Sequence, residues 1–342
     1  GSMTGMPFEK AIKALKLALN SLSVHDEFNV MMFDHDMHIL DDGLLLATNE
    51  NIEKVLNWVT DNPPERGATN ILEPVKFALE TLKTSQNNKL FGANIPQILL
   101  LTDGAVENEK EICELVKNHC NDKKTSTTRF LTIGLGKYCN WYFLKVLAEI
   151  GRGYNINCIY PEELVSNMAK LLRKTSLPYM TNVTLELDST GGNIPQGLEV
   201  YPHPLPDLFY GEPLVISGSY INGNFPATIQ VKGYVGSKQV TCEAQSVLDV
   251  NLPVKTIFAK QQIDVLQARV WLEENKQIEK KIINISMESS LPSRFTQQVT
   301  FESNEKDFHT SRKKQRARAR SNKKVHDEDA ERAKDIAAET AA

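Results

Sequence analysis

The sequence predicts an α/β chain: a doubly wound, mostly parallel sheet, then a mainly antiparallel β region, then a charged tail. Three observations carry this. Up to about residue 175, apolar runs of strand length alternate with segments of helical period, joined by short connections. After Pro178 the texture changes to short β-type segments punctuated by Gly, Pro and Asn. From His309 onward the apolar period stops and charge runs replace it. The expected organisation is an α/β domain over 1–178, a β-rich domain over 179–305 with a helical segment near 260–280, and a disordered basic and acidic tail over 306–342.

The elements follow in order. "FEKAIKALKLALNSL" places Ile12, Leu15, Leu19 and Leu22 at helical spacing. "FNVMMF", Phe28 to Phe33, is a buried strand, and "MHIL", Met37 to Leu40, is its partner across the "DHD" turn. "NIEKVLNWV" returns to helical spacing, and the prolines and glycine of "NPPERGATN" break it. A helix is expected from Ile71 to Leu82, with Pro74 tolerable in its first turn. The strand Ile98 to Thr102 follows, then a helix over Glu107 to Cys120, the strand "RFLTIGL", a helix over Asn140 to Ile150, the strand "INCIY" and a helix from Pro161 to Thr175. Helices should cover both faces of this sheet. Beyond Pro178, "NVTLELD", "GLEVYP", "PLVISGSYI", "ATIQVKGYV" and "KQVTCEA" read as strands, and a helical stretch starts at Ile263. The pattern of "IEKKIINISMESSLPSRFTQQVTFES" fits helix or strand equally.

Bulk properties narrow the function. The chain has 342 residues, long enough for one large or two ordinary cores, with 41% hydrophobic and 24% charged residues. A net charge of −4 argues against nucleic acid as the partner of the folded part, and no apolar run approaches the ~20 residues of a membrane span. The basic block "RKKQRARARSNKK" reads as a solvated terminus, with a targeting or nucleic-acid patch as the alternative. The cysteines are odd in number and lack metal-type spacing, which points to reduced thiols and leans toward an intracellular setting without fixing a compartment.

At the carboxyl edge of an open parallel sheet, strand ends carry the ligand-binding groups. Asp103 follows the Ile98 strand there, as "TDGA", and "ERGATN" leads into the next helix with Thr69 and Asn70 at its lip. Thr69 could simply cap that helix. It could also share a crevice with Asp103, both offering the hard oxygens that Mg²⁺, Ca²⁺ or Mn²⁺ prefer. His25, His35 and His38 flank the second strand without ligand-like spacing for zinc. A phosphotransferase built on Asp103 is the enzymatic alternative. Against it, no nearby Lys or Arg supplies transition-state charge, and "GLGKYC" is no phosphate loop.

"SMTGMPFEKAIKAL", "ERGATN" and "ILLLTDGAVENE", in this order and at these intervals, resemble a von Willebrand factor type A domain, and in particular the plant proteins related to inter-alpha-trypsin inhibitor heavy chains. "RFLTIGLGKYCNWYFLKVLAEIGRGY" and "EVYPHPLPDLFYGEPLVISGSY" extend the likeness to about residue 302. The resemblance implies a metal-ion-dependent adhesion site with ligands from three loops, onto which Ser2, Thr69 and Asp103 fall. The Asp and first Ser of the family's Asp-x-Ser-x-Ser segment would precede Gly1, and with them the first strand of the sheet. The sequence therefore reads as a fragment, with two inner strands left without a neighbour. The implied function is binding rather than catalysis: a protein partner offers a carboxylate to the divalent cation. With the site incomplete, Mg²⁺ or another divalent cation should bind weakly or not at all. A non-metal scaffold, with Ser2, Thr69 and Asp103 acting only as caps, is the second reading.

Overall fold

The computed structural model describes residues 3–63, 69–87, 95–104, 106–121, 128–175, 178–187, 197–209, 211, 213–222, 226–236, 238–247 and 251–299. Ser2 and the charged tail expected over 306–342 lie outside the described residues.

The chain opens with helix α1 (Met6–Asn20), whose first turn accommodates Pro7 because the missing N–H would have no intrahelical partner there. Next come the short strands β1 (Glu27–Phe28), β2 (Met31–Phe33), β3 (Met37–Ile39) and β4 (Leu45–Leu46). The single strand expected over Phe28 to Phe33 is thus broken in two, and Asn29 is the cause. Its amide donates to the carbonyls of Asp41 and Gly43 (2.9 and 2.8 Å), and the Val30 N–H donates to its Oδ1 (2.7 Å). β1 then pairs with β4, and β2 pairs antiparallel with β3. Helix α2 (Asn49–Asp61) follows, capped by the Thr48 hydroxyl.

The α/β alternation continues through α3 (Leu72–Asn87), β5 (Gln97–Thr102), α4 (Glu109–Asn121), β6 (Arg129–Leu135), α5 (Trp141–Ile150), β7 (Asn155–Cys158) and α6 (Leu164–Thr175). β5, β6 and β7 form a parallel sheet with β6 in the middle. All seven residues of β6 are buried. Period-2 alternation sends Leu131, Ile133 and Leu135 to one face, against Ala14 of α1 and Leu164, Met168 and Leu171 of α6. Phe130 goes to the other face, into a cluster with Val75 of α3, Val116 of α4 and Phe143 and Leu147 of α5. Helices cover both faces, as the alternation predicts.

The remainder is β8 (Pro178–Leu187), β9 (Glu199–Tyr201), β10 (Leu208–Phe209), β11 (Ser217–Ser219), β12 (Thr228–Val235) and β13 (Lys238–Gln245), then α7 (Val254–Glu273) and α8 (Lys276–Ser289). The strands form an antiparallel sheet of order β10-β8-β12-β13 and a separate β9–β11 pair. α7 starts nine residues before the Ile263 expected from sequence, and the ambiguous "IEKKIINISMES" is helix α8, begun by the Asn275 side chain accepting from Gln277 and Ile278 N–H groups. α7 touches two surfaces at once. Trp271 packs edge-on against Tyr142 of α5 (5.8 Å), while Phe258 packs edge-on against Tyr201 of β9 (5.4 Å).

A buried ion pair ties the antiparallel region to the parallel sheet. Arg129 heads β6 and Asp207 precedes β10, and both side chains are withdrawn from water. The Arg129 Nε donates to Asp207, whose second oxygen accepts the Asn182 N–H (3.2 Å) at the irregular centre of β8. Removing one member leaves a buried charge uncompensated. Asp207→Ala is therefore expected to lower the free energy of unfolding by about 3–5 kcal/mol, measured by urea denaturation. A loss below about 1 kcal/mol would mean that the pair behaves as a solvated one.

Candidate functional site

Three chain segments meet at the carboxyl edge of β5. β5 is a continuous apolar run because it lies between helical layers, and it ends at the buried Thr102. There the Gly104 N–H donates to the Thr102 hydroxyl (3.2 Å), tightening the turn that presents Asp103 at the lip. Gly104 lies directly against Thr69: a Cβ on it would stand 2.8 Å from the Thr69 Oγ1 and 3.3 Å from the Thr69 Cβ. The turn carrying Asp103 and the loop carrying Thr69 are therefore in van der Waals contact.

The third segment is the end of β2. The Asn70 N–H donates to the Asp34 carbonyl (2.7 Å), locking the Thr69 loop to the β2–β3 turn. Asn70 also caps α3, its Oδ1 accepting the Glu73 N–H (3.4 Å). Capping thus falls to Asn70 and not to Thr69. Among the described residues the Thr69 hydroxyl makes no hydrogen bond, and the Asp103 carboxylate makes neither hydrogen bond nor ion pair. Both side chains are half-buried.

Two further groups shape the electrostatics. Asp34, which sequence reasoning assigns no role, is buried and accepts the Asp36 N–H (2.9 Å), with His35 Nδ1 at 3.1 Å and His38 Nε2 at 3.5 Å. The Asp36 N–H, followed by His35 and His38 against the opposing effect of burial, holds its carboxyl below the usual range. The two histidines that could suggest a zinc site are thus partners of one carboxylate. On the other side, Cys139 donates weakly to the Thr102 carbonyl (3.7 Å). Burial, with Asp103 adding to it, pushes the Cys139 thiol up to about 11. At neutral pH it is a protonated thiol, unsuited to soft-metal ligation or nucleophilic chemistry. The lip therefore offers hard oxygen. Among the described residues no group of three or more His, Cys, Asp or Glu side chains is gathered to hold a metal.

Fold and site define an α/β module whose loops at the carboxyl ends of the parallel strands carry a threonine hydroxyl and an aspartate carboxylate. The chain matches the von Willebrand factor type A domain family over residues 1–156. It is similar to inter-alpha-trypsin inhibitor heavy chain H2 of Sus scrofa, 25% identical over 224 residues, covering 64% of this chain and 23% of that protein. It is also similar to von Willebrand factor A domain-containing protein 5B1 of Mus musculus, 29% identical over 175 residues, covering 51% of this chain and 13% of that protein. The chain thus spans less than a quarter of the length of either relative. Among solved structures, the von Willebrand factor type A protein from Catenulispora acidiphila shares the fold, with a TM-score of 0.52, 14% identity, and coverage of 85% of this chain and 77% of that one. Type A domains are a protein-interaction module family. Among the described residues no helix is long and apolar enough to cross a membrane.

Two outcomes test the lip. Gly104→Ala forces a methyl into Thr69, and a destabilisation of about 1–3 kcal/mol by thermal or urea unfolding is expected; no loss would mean that the two loops separate freely. Asp34 has a folded pKa below its unfolded value, so its ionised form contributes stability above the ordinary carboxylate range. That contribution is lost as pH falls through the lowered value. Between about pH 6 and pH 2 the melting temperature of the natural chain should therefore fall more steeply than that of Asp34→Asn. Parallel calorimetric curves would contradict this.

Proposed function

We propose that this chain is a protein-binding module whose contact surface is the carboxyl edge of its type A domain, with the Thr69 loop and the Asp103–Gly104 turn at the centre. The observation that carries the reading is the pairing of a hydroxyl and a carboxylate, both without a hydrogen-bond partner among the described residues, on two loops held together at Gly104, neither one consumed by helix capping. A scaffold reading, in which these side chains only cap helices, has Asn70 against it, because Asn70 already does that work.

In this proposal Ser2, Thr69 and Asp103 are what remains of a metal-ion-dependent adhesion site, and the partner group is a carboxylate. Asp103 would hold the divalent cation directly and the hydroxyls of Thr69 and Ser2 would complete its shell, since Mg²⁺ and Mn²⁺ prefer such oxygens. With a single carboxylate, the site binds these ions weakly or not at all. The module binds rather than catalyses. The α/β region over 1–178 carries the contact, and the β-rich region over 179–305 supports it.

A peptide array presenting single Asp or Glu residues in varied contexts, probed with the whole chain with and without Mg²⁺, tests the surface. Peptides captured by the natural chain are expected to be lost with Asp103→Ala while the urea midpoint stays unchanged. Equal capture by both chains would place the contact elsewhere. Calorimetric titration of the natural chain with Mn²⁺ is expected to give a dissociation constant weaker than about 100 μM, which corresponds to less than about 5.5 kcal/mol of binding. Micromolar affinity would show that the site is complete without a second carboxylate.

A further inference from the structure

The start of α5, the second half of α7 and the segment after α8 border a cavity of about 430 Å³, lined by Asn140, Tyr142, Gln267, Trp271 and Arg294. That volume is in the range of small-molecule sites. Neither Thr69 nor Asp103 lines it, so it is separate from the lip. Its walls are fixed by packing and hydrogen bonds. The Trp271 indole stands edge-on to Tyr142 (5.8 Å between centroids, 82° between planes) and tilted to Phe143 (6.5 Å). Asn140 is committed on both sides: its Oδ1 accepts the Phe143 N–H (3.2 Å), and its amide donates to the Glu109 carboxylate (2.8 Å). The Arg294 N–H donates to the Gln267 Oε1 (2.5 Å), which pins the segment after α8 onto α7.

Three polar groups of this lining are left unspent. The Tyr142 hydroxyl is withdrawn from water and has no hydrogen-bond partner among the described residues. Burial, against the opposing Arg294 charge, pushes it up to about 12, so at neutral pH it is a donor in want of an acceptor. The Gln267 amide nitrogen is likewise unpaired among the described residues. The Arg294 guanidinium sits 5.5 Å from the Tyr142 ring centroid and forms no ion pair among the described residues. The acids around it are already answered. Glu149 pairs with Lys145 (3.6 Å), Asp264 with Lys260 (2.5 Å), and Glu109 accepts from Asn140. Arg294 is exposed while Tyr142 and Trp271 are half-buried, so the charge lies at the mouth and the rings lie deeper.

We infer that this cavity binds a small aromatic carboxylic acid as its anion, with the ring against the Trp271 indole and the carboxylate held by Arg294 and the Tyr142 hydroxyl. A carboxylate only accepts hydrogen bonds and has two oxygens, so it can answer a guanidinium fork and a hydroxyl together. A flat ring packs on the edge or face of an indole already held in place by α5, with little further ordering to offset. An inorganic anion would leave the aromatic wall unused, a neutral arene would leave the buried donor unsatisfied, and a cation would meet Arg294. The cavity needs no divalent cation and shares no residue with the adhesion-site remnant, so it is an activity beyond the one proposed above.

The test uses the full 342-residue chain with its three tryptophans replaced by 5-fluorotryptophan, titrated with 2-naphthoate and followed by fluorine NMR. A saturable shift of the Trp271 resonance is expected, with Trp58 unmoved and a dissociation constant of about 0.1–1 mM for a ligand of this size. Arg294→Gln changes an exposed side chain and keeps the backbone bond to Gln267, so its urea midpoint should match that of the natural chain while affinity falls roughly tenfold or more. Tyr142→Phe removes an unsatisfied buried hydroxyl, so it should unfold no earlier than the natural chain and bind several-fold more weakly. The neutral analogue 2-naphthylmethanol should leave the Trp271 resonance in place. Absence of a saturable shift up to about 10 mM, equal affinity in the natural and Arg294→Gln chains, or equal binding of the alcohol would each overturn the inference. Unchanged affinity in Tyr142→Phe would overturn the place given to the hydroxyl.

Discussion

β6 has a hydrogen-bonded strand on each side and a helical layer on each face, and every residue of it is buried. That degree of enclosure suits Leu131, Ile133 and Leu135, but the strand opens with Arg129, whose charge cannot be left unpartnered at such a depth. Asp207 answers it from outside the parallel sheet. The cost of enclosing a cation is what commits the antiparallel region to a fixed place against β6. α7 adds a second tie through Trp271 on α5 and Phe258 on β9.

The lip at the carboxyl edge inherits its rigidity from this arrangement. Thr102 is the last buried residue of β5, and its hydroxyl folds the Gly104 N–H back so that Asp103 stands at the rim. On the other side of the contact, Asn70 takes both the capping of α3 and the bond to Asp34, leaving Thr69 unencumbered. Among the described residues a half-buried carboxylate and hydroxyl are thus left unpaired by neighbours that absorb the ordinary structural duties. The protonated Cys139 beneath them keeps the chemistry of the edge that of oxygen.

Much of this is legible in the sequence, for reasons that differ by residue. The run from Ile98 to Thr102 is apolar at every step, so a buried parallel strand and a following turn are read together. Helical spacing in α1, α2 and α5 is equally plain, because each buries one stripe. The break at Asn29 is invisible, since it depends on carbonyls at positions 41 and 43 that come near only after folding. α7 hides its start because it is gripped from several directions, by β9 near Phe258 and by α5 near Trp271, so no single stripe marks it. At the site, a threonine next to an asparagine before a helix does not reveal which one caps. That choice is made by the 2.7 Å bond from the Asn70 N–H to Asp34. The role of Asp34 itself rests on the turn that folds His35 and His38 back onto it.

The Arg129–Asp207 pair joins positions separated by 78 residues. Closing a chain segment of that length costs roughly 4 kcal/mol of entropy, which the ion pair cannot offset until the strands between its members have formed. Arg129 must therefore spend the early part of folding hydrated at the end of a nascent strand, and its dehydration belongs to a late step.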